Sequence, residues 1–394
     1  MTQRPTNPRS LAIFCKVVDN FGDIGICWRL ARQLDCEHGI AVELWVDDLC
    51  SFRRICPDVV GDADIQQLGK VMVRHWRDQE GQFRPDEVAD VVIEFFGCDI
   101  PPGYIAAMAQ RTPRAVWLNL EGLSAEEWVE GCHRLPSPHP RLPLTKHFFF
   151  PGFTRQTGGL LREVGLAEQR RRFQSNEVAV RSFLEQLGLF PAELDGLKIS
   201  LFCYPHAPLG ELFDVWVRSP VAITSLVPEG VATDAIAAFL GVQAKAGAVR
   251  TVGALTLRVL PFVAQPDYDR LLWACDLNFV RGEDSFVRAQ WAGQPFVWHI
   301  YPQDENLHHK KLRAFLQRYA DSDESLAAFS LRWNDAKQEG GELATLWHRL
   351  YLAMPGLKSR AERWEQSILE NGDLANNLLD FCAAVRSDAA QSNV

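Results

Sequence analysis

In the stretch FCKVVDNFGDIGICWRLARQL, Phe14 to Leu34, two carboxylates stand four residues apart. Asp19 and Asp23 lie in a glycine-containing loop between an apolar run and an amphipathic one. Many nucleotide-binding folds place glycines at this point, reading G-x-G-x-x-G, so that bare N–H groups and a helix dipole can approach a pyrophosphate. Here Gly22 and Gly25 keep the loop tight, but two carboxylates repel a phosphate arriving at the same point. The loop suits a cation or a proton-bearing acceptor. Asp23 also reads as the N-cap of a helix starting near Ile24, with Asp19 accepting loop N–H groups. From the loop alone capping is the favoured role for Asp23, worth about 0.5–2 kcal/mol. A cap leaves the second carboxylate unexplained and does not exclude catalysis.

A second constellation fills CDLNFVRGEDSFVRAQWAGQPFVWHIYPQDENLHHKKL, Cys275 to Leu312. It reads as strand, loop, helix, Gly-x-Pro turn, strand, loop, helix, and resembles the nucleotide-sugar signature of the second domain of GT-B glycosyltransferases. A helix beginning near Ser285 offers free N–H groups and a positive dipole end to a diphosphate, Ser285 adds a hydroxyl donor and Arg281 supplies charge. Glu283 suits sugar or ribose hydroxyls rather than phosphate. The plainer alternative makes RGEDS a polar turn capped by Asp284 or Ser285. Phe262 and Tyr268, in LPFVAQPDYDRLLWACD, could bracket a flat base, each stack worth about 1–3 kcal/mol. Phe202 and Tyr204 end the strand LFCY, Tyr301 ends VWHIY and could hydrogen-bond a phosphate, and Gln303 is a similar candidate. Aromatics beside apolar strands are more often core.

The elements that must position these residues alternate. LAIFCKVV (11–18), AVELWVDD (41–48), DVVIEFFG (90–97) and AVWLNLEG (115–122) read as buried strands separated by helical stretches. A second series runs through LKISLFCY (197–204), VAITSLV (221–227), LTLRVLPFV (255–263), CDLNFV (275–280) and QPFVWHI (294–300). The pattern predicts an α/β protein with two Rossmann-like domains, each a parallel sheet covered by helices, facing a central cleft at their strand C-termini. The expected boundaries are an N-terminal domain over 1–160, a linker over 161–195 and a C-terminal domain over 196–364. A helix at about 365–394 is expected to pack back on the first domain.

The chain has 394 residues, 47% of them hydrophobic, enough for two cores. Its net charge of -9 argues against nonspecific binding to nucleic acid or anionic lipid and favours a basic partner. The polar N-terminal lead has no apolar core, and no run reaches the length of a membrane span, so the expectation is a soluble cytoplasmic protein. The 10 cysteines are scattered without C-x-x-C spacing and read as reduced, and no Cys/His cluster has zinc spacing, the adjacent His308 and His309 included. No metal site is expected.

Taken in order, FCKVVDNFGDIGICWRLARQL, FFFPGF, GGLLRE, LPFVAQPDYDRLL and RGEDSFVRAQWAGQPFVWHIYPQDEN resemble the bacterial protein-arginine rhamnosyltransferases that modify elongation factor P, the EarP family. The similarity runs from about residue 11 to the C-terminal helix. It implies a GT-B enzyme that moves L-rhamnose from dTDP-β-L-rhamnose, with inversion and without a metal or other cofactor, to a guanidine nitrogen of an arginine at a loop tip of elongation factor P. That modification helps the factor rescue ribosomes stalled at polyproline. The resemblance further implies that Asp19, Asp23 and Glu283 are required for catalysis. It places Phe202, Tyr204, Phe262, Tyr268, Arg281, Asp284, Ser285 and Tyr301 around the nucleotide sugar, with the protein acceptor mainly on the N-terminal domain. The acceptor site is expected at Asp19, Asn20, Phe21, Gly22 and Asp23. A guanidinium is a poor nucleophile, and two carboxylates can bind its N–H fork and take a proton as the C–N bond forms. Asp23 is expected as the base with Asp19 orienting, and the opposite assignment stays open because proton affinity in a coupled pair belongs to the pair. The rival reading is a GT-B transferase or epimerase acting on a small-molecule or glycan acceptor.

Overall fold

The structure, a computed structural model, describes residues 8–19, 21–77, 81–320, 323–334 and 342–391. It divides into two compact units, Met1–Val164 with Ile368–Val394, and Gly165–Ser367.

The first unit is built on an 8-stranded sheet. Its strands are β1 (Ser10–Cys15), β2 (Ala41–Val46), β3 (Ile65–Leu68), β4 (Val71–His75), β5 (Val91–Phe95), β6 (Val116–Leu120), β7 (Pro136–Pro138) and β8 (Thr145–Phe149). Between them run α1 (Gly22–His38), α2 (Leu49–Ile55), α3 (Pro102–Gln110) and α4 (Trp128–Cys132). The spatial order is β3-β4-β2-β1-β5-β6-β8-β7, parallel except for the antiparallel β3–β4 and β7–β8 pairs. Leu11 to Cys15 have no exposure, as expected for a central parallel strand. The apolar run extends to Val18, but the strand stops at Cys15 because the N–H groups beyond it go to carboxylates instead of a neighbouring strand. Val17 donates to Asp47 at 2.9 Å, and Val18 and Asp19 donate to Asp23 at 2.8 and 2.9 Å. The short hairpins β3–β4 and β7–β8 carry too little apolar alternation to be read from sequence.

The second unit carries a 6-stranded sheet in the order β11-β12-β10-β9-β13-β14. Its strands are β9 (Leu197–Leu201), β10 (Ile223–Pro228), β11 (Val249–Val252), β12 (Leu255–Leu260), β13 (Leu277–Arg281) and β14 (Phe296–His299). Helices α5 (Leu166–Gln174) and α6 (Glu177–Gln186) precede the sheet. Then come α7 (Leu209–Val217), α8 (Thr233–Leu240), α9 (Gln265–Ala274), α10 (Asp284–Gln290), α11 (Leu307–Tyr319), α12 (Glu324–Asn334) and α13 (Leu343–Leu369). The segment expected as a linker over 161–195 is therefore mostly part of this unit. Phe183 and Leu184 of α6 are buried in a cluster with Leu226, Leu260 and Leu271. Polar spacing on α5 and α6 reflects one solvated face rather than an unattached connection.

The helical C-terminus breaks at Gly372, whose φ of 75° suits glycine, and α14 (Leu374–Gln391) belongs to the first unit. There Phe381 meets the His147 and Phe149 rings of β8. In both sheets the chain reverses its direction of travel across the sheet, between β1 and β5 in the first and between β9 and β13 in the second. Loops leaving the C-terminal ends of strands at such switch points are where open α/β sheets bind ligands.

Candidate active site

At the first switch point, the loop after β1 is wired by two carboxylates. Asp23 is 3% exposed, and its Oδ2 accepts both the Val18 and the Asp19 N–H. The expected capping role is corrected: α1 begins at Gly22 and the cap position belongs to Phe21, whose side chain makes no capping bond. Asp23 instead sits inside the first turn and reaches backward to the loop, so its charge is held where β1 ends. Burial pushes its pKa up, the two N–H bonds pull it down, and the charges of Asp19 and Asp47 push it further up, leaving it raised. A raised carboxylate is a stronger base at neutral pH. Asp19 is half-buried, and its carbonyl accepts the Gly22 N–H at 2.8 Å, closing the turn into the helix. Phe21 and Gly22 are part-exposed beside it, and Asn20 lies outside the described residues. Asp47 was not singled out from sequence; the available signal was the pair of aspartates ending AVELWVDD.

At the second switch point, Arg281 ends β13 and its guanidinium lies 4.7 Å from the Phe202 ring and 4.6 Å from the Tyr204 ring. The two aromatics that follow β9 thus form a platform for a cation, each contact worth about 0.5–2 kcal/mol. Tyr204 is buried and donates its N–H to His299 Nδ1 at 3.1 Å, and the half-exposed Tyr301 meets its ring edge-on at 5.7 Å. Arg281 and His299 are register partners on adjacent parallel strands.

Glu283 takes the cap position of α10 without a side-chain capping bond. The plainer reading, a turn capped by Asp284 or Ser285, is therefore not what forms. Ser285 is buried, and its hydroxyl is committed to Arg281, accepting the backbone N–H at 3.0 Å and donating to the carbonyl. The expected free hydroxyl is instead the tie that closes RGEDS on itself around Gly282, whose φ is 59°. The helix begins at Asp284, which accepts from Gln265 Nε2 at 3.3 Å. A buried bidentate pair, Arg288 with Asp269 at 2.9 and 2.8 Å, locks α10 to α9.

Tyr268, one turn into α9, meets Phe202 edge-on at 5.9 Å, while burial pushes its hydroxyl pKa up beside Ser285. Phe262 is part-exposed in the loop before α9, and Gln303 is exposed, its N–H donating to His308 Nδ1 at 3.0 Å. Sequence reasoning missed Gln265, His206 and His299. The signal for His299 was a lone polar residue ending an apolar strand. Its ring has no exposure, burial holds its pKa well below the ordinary histidine value, and the exposed His206 ring lies 4.6 Å away. Among the described residues no group of three or more His, Cys, Asp or Glu side chains could hold a metal ion.

The chain is 49% identical over 377 residues to the protein-arginine rhamnosyltransferase of Pseudomonas putida, covering 94% of this chain and 97% of that protein. It is 50% identical over 381 residues to the Pseudomonas aeruginosa protein of that name, covering 94% and 98%. A solved structure described as the structural basis for EarP-mediated arginine glycosylation of translation elongation factor EF-P matches with a TM-score of 0.63 and 36% identity, covering 94% and 98% of the two chains. MurG of Acinetobacter baumannii matches at a TM-score of 0.51 and 12% identity, over 95% and 98%, which shows the fold alone, that of GT-B glycosyltransferases. The family model described as Elongation-Factor P (EF-P) rhamnosyltransferase EarP matches residues 11–383, and the chain belongs to that family of glycosyltransferases.

Proposed function

We propose that this protein transfers L-rhamnose from dTDP-β-L-rhamnose to a guanidine nitrogen of an arginine in elongation factor P, with inversion and without a metal. The observation that carries the reading is the buried Asp23 carboxylate with Asp19 beside it at the C-terminal end of β1. Such a pair meets the N–H fork of an arginine and accepts its proton, and it repels the diphosphate of a nucleotide. The elevated proton affinity of Asp23 supports it as the base, with Asp19 orienting the guanidinium.

As the base draws off a proton, the nitrogen lone pair localises and attacks the anomeric carbon from the face opposite the diphosphate, whose bond breaks. One displacement inverts the centre, needing no enzyme nucleophile. The departing dTDP carries away the electron pair, and Arg281, seated on Phe202 and Tyr204, with the Tyr301 hydroxyl supplies the countercharge a metal would otherwise give. Phe262 and Tyr268 are assigned to the thymine, Glu283 to the rhamnose hydroxyls, and Asp284 and Gln303 to the rim of the donor site, with Ser285 holding the RGEDS turn closed beneath it. The protein acts in the cytoplasm on a translation factor, away from membrane and nucleic acid, and its product serves ribosomes stalled at polyproline.

The test is intact-mass spectrometry of elongation factor P from the same organism, incubated with this protein, dTDP-β-L-rhamnose and EDTA. Gain of one deoxyhexose that maps to an arginine is the expected result. No gain, while dTDP-rhamnose binds, sends the acceptor assignment to a small molecule or glycan.

A further inference from the structure

The loop after β5 lies across the first switch point from the aspartate loop and takes no part in the reading above. Its residue Phe96 has φ 53°, in the left-handed region, where a bulky side chain is an outlier. Such strain persists only where the surroundings over-determine it, and it concentrates at functional sites. Here they do. The Phe96 N–H donates to the Leu120 carbonyl at 3.0 Å and the Gly97 N–H to Asn119 Oδ1 at 2.9 Å. Cys98 Sγ donates to the Phe14 carbonyl at 3.3 Å, which ties the loop to the end of β1. Asp99, itself at φ 53°, donates its N–H to the buried Glu94 at 3.3 Å, and Lys146 pairs with that carboxylate at 3.0 Å.

What this framework holds up is a ring. Phe96 stacks on the buried Phe95 with centroids 3.9 Å apart and planes 25° apart, and remains 37% exposed. A glycine would make the turn without strain, so the turn alone does not account for a phenylalanine.

A guanidinium has two kinds of surface. Its edges carry N–H groups that carboxylates satisfy, and its flat faces favour aromatic rings. The second unit already treats its own Arg281 this way, between Phe202 and Tyr204. Across the first switch point Asp19 and Asp23 supply the edge partners. We infer that Phe96 supplies the face, stacking on the guanidinium of the acceptor arginine and fixing the plane from which its nitrogen attacks. The inference rests on the arginine-transfer reading above.

The experiment measures initial rates of deoxyhexose gain on elongation factor P at varied acceptor concentration, for the wild-type chain and for Phe96→Leu, Phe96→Trp and Phe96→Gly. Isothermal titration of dTDP accompanies each. Phe96→Leu keeps apolar bulk without a π face and is expected to raise the acceptor KM roughly 3- to 30-fold, with dTDP affinity unchanged. Phe96→Trp keeps the face and is expected within about twofold of wild type. Phe96→Gly makes the turn at ease and is expected to lose as much as Phe96→Leu. Wild-type behaviour of Phe96→Leu overturns the inference, and so does wild-type behaviour of Phe96→Gly, which would reduce Phe96 to a turn-former. An equal loss of dTDP affinity in Phe96→Leu also overturns it. Absence of transfer by the wild-type chain is a different failure: it removes the arginine reading, and this inference with it.

Discussion

Replacing Asp23 by Asn separates charge from architecture. Asp23 holds the loop through one oxygen, which accepts the Val18 and Asp19 N–H groups at 2.8 and 2.9 Å. The amide oxygen of Asn can accept both, more weakly than a carboxylate does, so the loop keeps its course while the proton acceptor is gone. Loss of a general base costs about 10²- to 10⁴-fold. The loss should appear in kcat for rhamnose transfer, with dTDP-rhamnose affinity unchanged, because every donor residue assigned above lies in the second unit.

Stability should move the other way. A carboxylate whose folded pKa is raised binds its proton more tightly in the native state than in the unfolded one. Unfolding stability therefore falls as pH rises from the ordinary carboxylate value, about 3.9, through the raised value, and the deficit is complete above it. Asp23→Asn removes the deficit. Its Tm should exceed that of wild type at pH 7, by about 2–4 °C for each kcal/mol recovered, and the difference should close below the ordinary carboxylate range. Mass spectrometry reads the rate and calorimetry reads Tm across pH. A variant that transfers rhamnose within tenfold of wild type, or that melts lower at pH 7, would show that Asp23 is a structural clamp rather than the base.

Three further perturbations address the donor site. Arg281→Lys keeps the charge but loses the planar face that rests on Phe202 and Tyr204, so dTDP affinity measured by titration should fall about tenfold, whereas a merely electrostatic role would leave it near wild type. Tyr268→Phe removes a hydroxyl that lies buried and should leave dTDP affinity unchanged, while Tyr268→Ala should cost about 1–3 kcal/mol, or roughly 5- to 150-fold, and parity of the two variants would exclude stacking. His299→Leu strands the Tyr204 N–H in the interior at about 1–3 kcal/mol and should lower both Tm and dTDP affinity. His299→Asn offers a replacement acceptor and should rescue both, with donor affinity flat from pH 6 to 8, since burial already keeps the native imidazole neutral there.

The two sheets were legible because β-branched apolar runs in central parallel strands have few other uses, and the loops that leave them stood out by residue type, with two aspartates after β1 and RGEDS at the end of β13. What local sequence could not show is where hydrogen bonds go. Val17 and Val18 read as strand because their N–H groups looked available to a neighbour, yet Asp47, far away in sequence, and Asp23 collect them, and Asp23 takes the N–H of the loop residue Asp19 as well. Ser285 read as a donor to a ligand because nothing in RGEDS announces that its hydroxyl closes on Arg281 four residues back. Phe202 and Tyr204 read as the end of a strand, but β9 stops at Leu201 and both lie just beyond it, and their service to Arg281 needed the register that sets β9 beside β13. Phe96 was hidden for a stronger reason. In DVVIEFFG it is one more apolar residue of a buried strand, and only its backbone, turned left-handed one residue after β5 ends, shows that the second phenylalanine faces outward. Residues whose roles depend on departing from the local pattern are the ones a pattern cannot announce, and here they gather around the two switch points.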